Sequence, residues 1–230
     1  MKYLILMCCC MSFTSWSQSN FEKAEIYFKA KKYSQAKPLF EKILEQNPDD
    51  LKSIEYLGDI ACHFKSWQTA LPYYNKLKKI KPTEAEYSYK YGGALGMLAK
   101  ESNKFKALSM IGDVKAEFSR TISLNPKHIG ARWALIEIYI QLPGFVGGSE
   151  RKAIQYSEEL SKISAVDGYL SRGHIEEYFK RYDQAEKQYK MAIEIGNSKV
   201  SYQKLADLYK YKMNQPDRAK KLLETFKEKK

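Results

Sequence analysis

A spacing of 34 residues recurs along the chain and limits what it can fold into. Similar residues return at this interval in four pairs, namely Ala36 and Ala70, Phe40 and Tyr74, Pro48 and Pro82, and Ala185 and Ala219. A fixed period of this length is typical of an array in which each unit packs on its neighbours instead of around one central core. The sequence therefore predicts a repeat protein.

The middle of the chain departs from this period in a way that indicates insertions. Pro82 and Pro126 are 44 residues apart, and Pro126 and Ala153 are 27 apart where Pro48 and Ala70 are 22 apart. Insertions of about 10 and about 5 residues restore the register. The predicted units are 19–48, 51–82, 84–126, 128–165, 166–197 and 198–229.

Within a unit, the hydrophobic pattern indicates two helices. Ile54, Leu57 and Ala61 have helical spacing, the pattern breaks at 65–66, and it resumes at Trp67. Small residues recur at one place in each helix, at Ala24, Gly58, Gly92 and Gly173 in the first and at Ala36, Ala70, Ala153, Ala185 and Ala219 in the second. Such residues let two helices approach closely, and we expect the rings of Phe40, Tyr74 and Tyr189 to fill the adjacent space.

These features resemble the tetratricopeptide repeat family. The resemblance is carried by small–x–x–aromatic first helices and by the second-helix segments AKPLF (36–40) and ALPYY (70–74), and it covers residues 19–226. It implies an all-α fold, a right-handed α-solenoid of about six antiparallel helix pairs. It also implies a protein that binds a polypeptide in a concave groove.

The first 17 residues are predicted to be a signal peptide. Lys2 gives a positive start, residues 3–13 are apolar, and Ser15 and Ser17 are small residues at the positions that a signal peptidase inspects. A retained membrane anchor is the alternative, but eleven apolar residues are too few when a bilayer needs about 20. We therefore expect an exported protein, periplasmic or secreted, with a repeat domain at 18–230.

Cysteine content and charge add little to the choice of function. Three of the four cysteines lie in the predicted signal peptide, so Cys62 alone would remain and no internal disulfide is expected. The net charge of +12 is compatible with nucleic acid, anionic lipid or an envelope polymer as partner. Export argues against nucleic acid, and a solvated lysine-rich surface explains most of the charge. Nothing in the sequence indicates an oligomeric state.

No residue pattern predicts a catalytic, cofactor or metal site. His63, His128 and His174 are too scattered for metal ligation. The glycine-rich segment 141–150 lacks the lysine of a phosphate-binding loop and no strand precedes it, so we interpret it as an inserted turn with Ser149 capping the next helix. We expect neither an enzyme nor a cofactor.

The inward face of the first helices is the predicted binding surface. It is acidic and aromatic, and its members are Glu25, Phe28, Tyr56, Asp59, Tyr89, Trp133, Glu137, His174, Glu177 and Tyr178. Rings supply contact area and accept cations, and carboxylates repel acidic peptides, so a basic polypeptide is favoured. For each ring, simple core packing is the alternative interpretation.

A second functional class stays open. Most lysines fall on the second helices and turns, including Lys37, Lys76 and Lys78. A basic outer face of this kind favours an adaptor that contacts an anionic envelope or membrane surface without spanning it.

Overall fold

The computed structural model describes residues 20–228, and the regular secondary structure in that range is helical throughout. The predicted signal peptide, residues 1–17, lies outside the described residues. The helices are α1 (20–29), α2 (Tyr33–Gln46), α3 (Leu51–His63), α4 (Trp67–Ile80), α5 (Ala85–Glu101), α6 (Lys104–Leu124), α7 (Ile129–Gln141), α8 (Glu150–Ser161), α9 (Ala165–Tyr178), α10 (Tyr182–Gly196), α11 (Lys199–Asp207) and α12 (Pro216–Glu228). They form the predicted helix pairs, so the all-α repeat fold is confirmed.

The chain divides into two compact units after Arg120, within the last part of α6. In the first unit, α2 packs on α3, α3 on α4 and α4 on α5. In the second unit, each helix from α7 to α11 packs on the helix that follows it. This nearest-neighbour packing is the arrangement that a repeat period requires, because each hydrophobic face is covered by the adjacent helix.

The small residues and the rings meet as the period predicts. A methyl group at Gly58 would lie 2.6 Å from the Tyr74 ring, and one at Gly173 would lie 2.5 Å from the Tyr189 ring. Both rings are buried, as are Phe40 and the alanines at 24, 36, 70, 153 and 185. The missing side chain is what lets the ring of the second helix lie directly against the backbone of the first helix.

We expect Gly58→Ala to lower the free energy of unfolding by about 1–2 kcal/mol, because its methyl group must displace the buried Tyr74 ring. Gly93, in α5, is the matched control, since a methyl group there meets nothing within 4 Å. Gly93→Ala should raise stability by up to about 1 kcal/mol through helix propensity. Urea unfolding measures both changes, and a stabilising Gly58→Ala would contradict the close-approach explanation.

Of the two predicted insertions, one lies within helices and the other in a loop. The longer one lengthens the helices of the third pair, in which α5 has 17 residues and α6 has 21, against 13 in α3 and 14 in α4. The shorter one is the loop between α7 and α8. It contains a 3₁₀ turn, Gly144–Val146, and ends where the Ser149 hydroxyl accepts a hydrogen bond from the Lys152 amide at 3.2 Å.

The turn between the two helices of a pair has a left-handed central residue in four pairs. Its central residue has a positive φ, at Lys31, Lys65, Lys180 and Asn214. In three of them the next amide donates to the carbonyl five residues earlier, as Ser66 does to Ala61 at 2.8 Å, whereas Gln215 donates to Tyr209, six residues earlier. Asn214 lies one residue further from its helix than the others, and a π turn at Leu208–Lys212 absorbs this extra residue.

Candidate functional site

The ten residues of the predicted binding surface all lie on first helices. Five belong to the first unit, on α1, α3 and α5, and we call them the first-unit face: Glu25, Phe28, Tyr56, Asp59 and Tyr89. Five belong to the second unit, on α7 and α9, and we call them the second-unit face: Trp133, Glu137, His174, Glu177 and Tyr178.

On the first-unit face, Glu25 and Tyr56 hold each other in place. The Tyr56 hydroxyl donates to one Glu25 oxygen at 2.7 Å, and Lys29 donates to the other at 2.8 Å. The bonds from Lys29 and Tyr56 lower the pKa of Glu25. Burial and the neighbouring Glu25 raise the pKa of Tyr56 to about 12, so the phenol stays neutral and remains a donor.

The rings of this face are tied to the core. Tyr56 stacks on the buried Phe40 with centroids 4.8 Å apart, and Phe28 lies 4.5 Å from Tyr56. Tyr89 packs against Phe118, 5.8 Å away, and burial raises its pKa. Core packing therefore explains much of the position of these three rings. A role for them in partner binding stays a prediction.

Asp59 belongs to a charge cluster that sequence reasoning only half identified. Lys90, on α5, lies 2.8 Å from both Asp59 oxygens and 2.6 Å from Glu55, while Tyr74 donates to Asp59 at 2.7 Å. Burial opposes the charge on Lys90, but the bonds to Asp59 and Glu55 outweigh it and raise its pKa. Lys90 therefore neutralises part of the negative charge of the first-unit face. The sequence of each first helix, considered separately, suggests a more acidic face than the structure has.

On the second-unit face, Trp133, Glu137 and His174 form a connected group. The Trp133 ring nitrogen donates to Asp167 at 2.9 Å, and its ring lies 6.2 Å from that of His174. His174 Nε2 lies 2.7 Å from a Glu137 oxygen. Trp133 is half-buried against the core of the second unit, so its ring both supports the fold and faces this group.

A cleft of about 220 Å³ lies beside this group. It is lined by His174, Glu177, Tyr178, Lys180, Tyr182 and Lys212. Three of these were predicted, and Tyr178 is 44% exposed. Glu177 accepts a hydrogen bond from the buried Tyr189 at 2.8 Å, which fixes the carboxylate at the wall of the cleft.

Sequence reasoning missed the two lysines of the cleft. Lys180 lies in the positive-φ turn after α9, and Lys212 lies in the π turn that follows α11. The turn position of Lys180 is readable from the repeat register, since it lies seven residues after Gly173 as Lys65 does after Gly58. The position of Lys212 depends on how the extra residue of the sixth pair is absorbed, and no sequence pattern indicates that.

A buried carboxylate next to the second-unit face was also missed. Glu176 is only 5% exposed, and it pairs with Arg172 at 2.7 Å and with Arg181. Arg181 also pairs with Glu150 of α8. Burial raises the pKa of Glu176, but the two guanidinium groups more than compensate and lower it. Only the Arg172–Glu176 spacing of four residues hints at this cluster in the sequence.

Several lysines of the predicted basic outer face are paired. Lys76 lies 2.9 Å from Asp49, Lys37 lies 3.6 Å from Glu41, and Lys78 pairs with Glu117. Their charge is therefore partly neutralised where they stand, which weakens this surface as a general anion-binding face.

The described residues set two further limits. Among residues 20–228, no three His, Cys, Asp or Glu side chains come together in a way that would hold a metal ion. In the same range, no helix combines the length and the apolar character needed to cross a bilayer.

Comparison with known proteins places the fold. Residues 21–85 match the family model for the tetratricopeptide repeat. A tetratricopeptide repeat protein of Thermus thermophilus has a TM-score of 0.63 and 16% identity, over 90% of this chain and 98% of that chain. No curated protein matched the sequence.

Two further solved structures are similar. A tetratricopeptide repeat protein from Parabacteroides merdae has a TM-score of 0.65 and 18% identity, over 91% of this chain and 78% of that one. YrrB, a tetratricopeptide repeat protein with an unusual peptide-binding site, has a TM-score of 0.54 and 14% identity, over 79% and 87%. Solenoid repeat folds create extended concave surfaces that such proteins use for binding. Residues 21–85 thus match the tetratricopeptide repeat model, and the described chain has the fold of tetratricopeptide repeat proteins.

Proposed function

We propose that this chain is an exported interaction protein, a scaffold or assembly factor, that binds a polypeptide segment on its first-helix faces. The observation that carries the proposal is the second-unit cleft, where the half-exposed Tyr178 ring stands beside Glu177 and His174. A rigid ring next to polar groups is typical of an anchor for a partner side chain. YrrB, which shares the fold, has a peptide-binding site of its own.

A basic segment suits the second-unit face best. Glu137 is half-exposed, and it lies on the same face as the Tyr178 ring, which can receive a cation. Lys180 and Lys212, which also line the cleft, would bind a carboxylate of the same segment. We therefore propose a ligand that presents a lysine or arginine towards Glu137 and an acidic group, or a chain terminus, towards the two lysines.

Selection of peptides from a random library on the purified protein tests this proposal. Tyr178→Ala is expected to weaken binding of the selected peptides by about 2 kcal/mol, roughly thirtyfold in affinity, if the ring is the anchor. Phe145→Ala is the control, because Phe145 is 92% exposed and lies in the α7–α8 loop, away from the cleft-lining residues. Glu137→Lys should in addition lower the share of basic residues among the selected peptides.

Replacement of the outer-face lysines separates the two candidate binding surfaces. The contrary result is a folded Tyr178→Ala variant that binds as wild type does, while replacement of the outer-face lysines Lys37 and Lys76 abolishes binding. This pair of results would show that the first-helix faces are not the binding surface. Trp133→Ala is a less clean test, since its hydrogen bond to Asp167 also supports the fold. Its effect on binding has to be compared with its effect on stability.

We also propose that the protein is exported from the cytoplasm. We expect the mature protein to begin at or near Gln18, because of the signal pattern at 1–17. Amino-terminal sequencing of the protein recovered outside the cytoplasm measures this directly. A protein that keeps Met1 and stays in the cytoplasm would contradict export while leaving the polypeptide-binding proposal to its own test.

A further inference from the structure

The longest helix pair carries an exposed tip. α5 ends at Glu101 and α6 begins at Lys104, and these helices are longer than those of the preceding pair. None of residues 100–109 is buried, and eight of the ten are exposed. We call residues 97–109 the α5–α6 tip. Apart from the buried Ala99, its side chains contribute little to the core, so packing does not explain their chemistry.

Large apolar side chains stand in solvent at this tip. Phe105 is 88% exposed, Leu108 is 45% exposed and Met97 is 36% exposed. Leaving a phenylalanine ring in water forgoes the free energy that its burial would provide. Several such residues grouped on one short projection mark an interaction site more often than isolated ones do.

The same tip is cationic. Lys100, Lys104 and Lys106 are exposed, and Glu101 is the only acidic residue between 97 and 109. Lys104 and Lys106 stand in the first turn of α6, where the positive end of the helix dipole disfavours cations and where no acidic residue is present. The Asn103 side chain accepts a hydrogen bond from the Lys106 amide at 3.0 Å, so Asn103 caps the start of α6. These lysines therefore do not serve the stability of α6.

From this combination we propose that the α5–α6 tip docks on an anionic lipid surface. Phe105 and Leu108 enter the boundary between headgroups and acyl chains, and the three lysines contact the phosphates around them. Apolar side chains with adjacent lysines are the chemistry by which peripheral proteins bind acidic membranes. A protein partner would have to surround the projection and bury about 800 Å² of it, whereas a lipid interface adapts to its shape.

This site differs from the polypeptide-binding faces and does not depend on them. It uses residues at the end of one helix pair, and the predicted binding surface contributes only Tyr89 to that pair. It also differs from a basic outer face spread over the second helices, because the apolar residues are concentrated here. Binding is expected to be peripheral, reversible and weakened by salt.

Co-sedimentation with lipid vesicles tests the proposal on the full chain. Wild type is expected to bind vesicles that contain phosphatidylglycerol at least about tenfold more tightly than vesicles of phosphatidylcholine alone. The double variant Phe105→Ser, Leu108→Ser should lose about tenfold or more of the binding to phosphatidylglycerol vesicles. Phe145→Ser, which removes an equally exposed ring from the α7–α8 loop, should bind as wild type does. All chains share the same residues 1–17, so the ratios isolate the tip.

A second measurement locates the contact. Phe105→Trp should gain fluorescence quenching by brominated lipid over the wild-type level when acidic vesicles are added. Equal vesicle binding by wild type and the double variant, or no added quenching at position 105, would overturn the proposal. So would sedimentation equilibrium that shows a wild-type dimer lost in the double variant, because the tip would then be a contact between copies of this chain.

Discussion

Replacing Tyr189 by alanine is expected to lower the free energy of unfolding by about 3–5 kcal/mol, the largest effect of any single substitution proposed for this protein. The ring is fully buried in the second unit and lies against the bare backbone of Gly173. Because α9 has no side chain there, nothing on that helix can move in to fill the space. A cavity would remain between α9 and α10.

Tyr189→Phe separates the ring from its hydroxyl group. It keeps the packing and removes the hydrogen bond to Glu177, so we expect a loss of about 1 kcal/mol. Burial raises the pKa of Tyr189, which keeps the phenol neutral and makes the carboxylate, not the tyrosine, the charged partner. Urea unfolding followed by circular dichroism measures both variants. Equal losses for alanine and phenylalanine would show that the hydroxyl, and not the ring, holds the helices together.

The second large effect is expected at the Glu176 cluster. Replacing both Arg172 and Arg181 by leucine leaves a carboxylate that is 5% exposed with neither of its partners, at a cost of about 3 kcal/mol at neutral pH. Adding Glu176→Leu to the same protein should recover most of this loss, because the unpaired buried charge is then gone. Failure of the triple variant to recover would show that the arginines act by packing.

The contribution of Glu176 to the pH dependence of stability should change sign in the double variant. In wild type the guanidinium groups lower the pKa of Glu176 below its unfolded value, so this stabilisation is present above the unfolded pKa and is lost as the pH falls through the folded one. Without the arginines, burial alone acts and raises the folded pKa. The double variant should then gain stability relative to wild type as the pH is lowered from neutral towards the unfolded pKa. Unfolding curves at several pH values measure the difference between the two proteins.

The period of the sequence predicted the helix pairs because it follows from short-range physics. Gly58 and Tyr74, like Gly173 and Tyr189, occupy positions where two neighbouring helices must touch, and each position is fixed by counting along the chain. Even the ten-residue insertion was readable from the distance between Pro82 and Pro126, although its placement in two longer helices was not.

The candidate site was predicted less completely. The period places Tyr56, Asp59 and Trp133 on first helices, but each of them has a partner from another repeat. Lys90 reaches Asp59 across 31 residues of sequence, and Asp167 reaches Trp133 across 34. A pattern within one helix identifies a face of that helix and says nothing about which charge of the next repeat meets it.

What the sequence alone determined here is therefore the fold class, the repeat boundaries and the close contacts within each pair, because all of these depend on local spacing and side-chain size. Only the tertiary structure decided which charges on the first-helix faces are already paired, that Glu176 is the buried carboxylate beside Glu177, and that Lys212 lines the cleft. The physical reason is that pairing and burial depend on distances between helices. A single extra residue, absorbed by the π turn at Leu208–Lys212, changes which side chains those distances bring together.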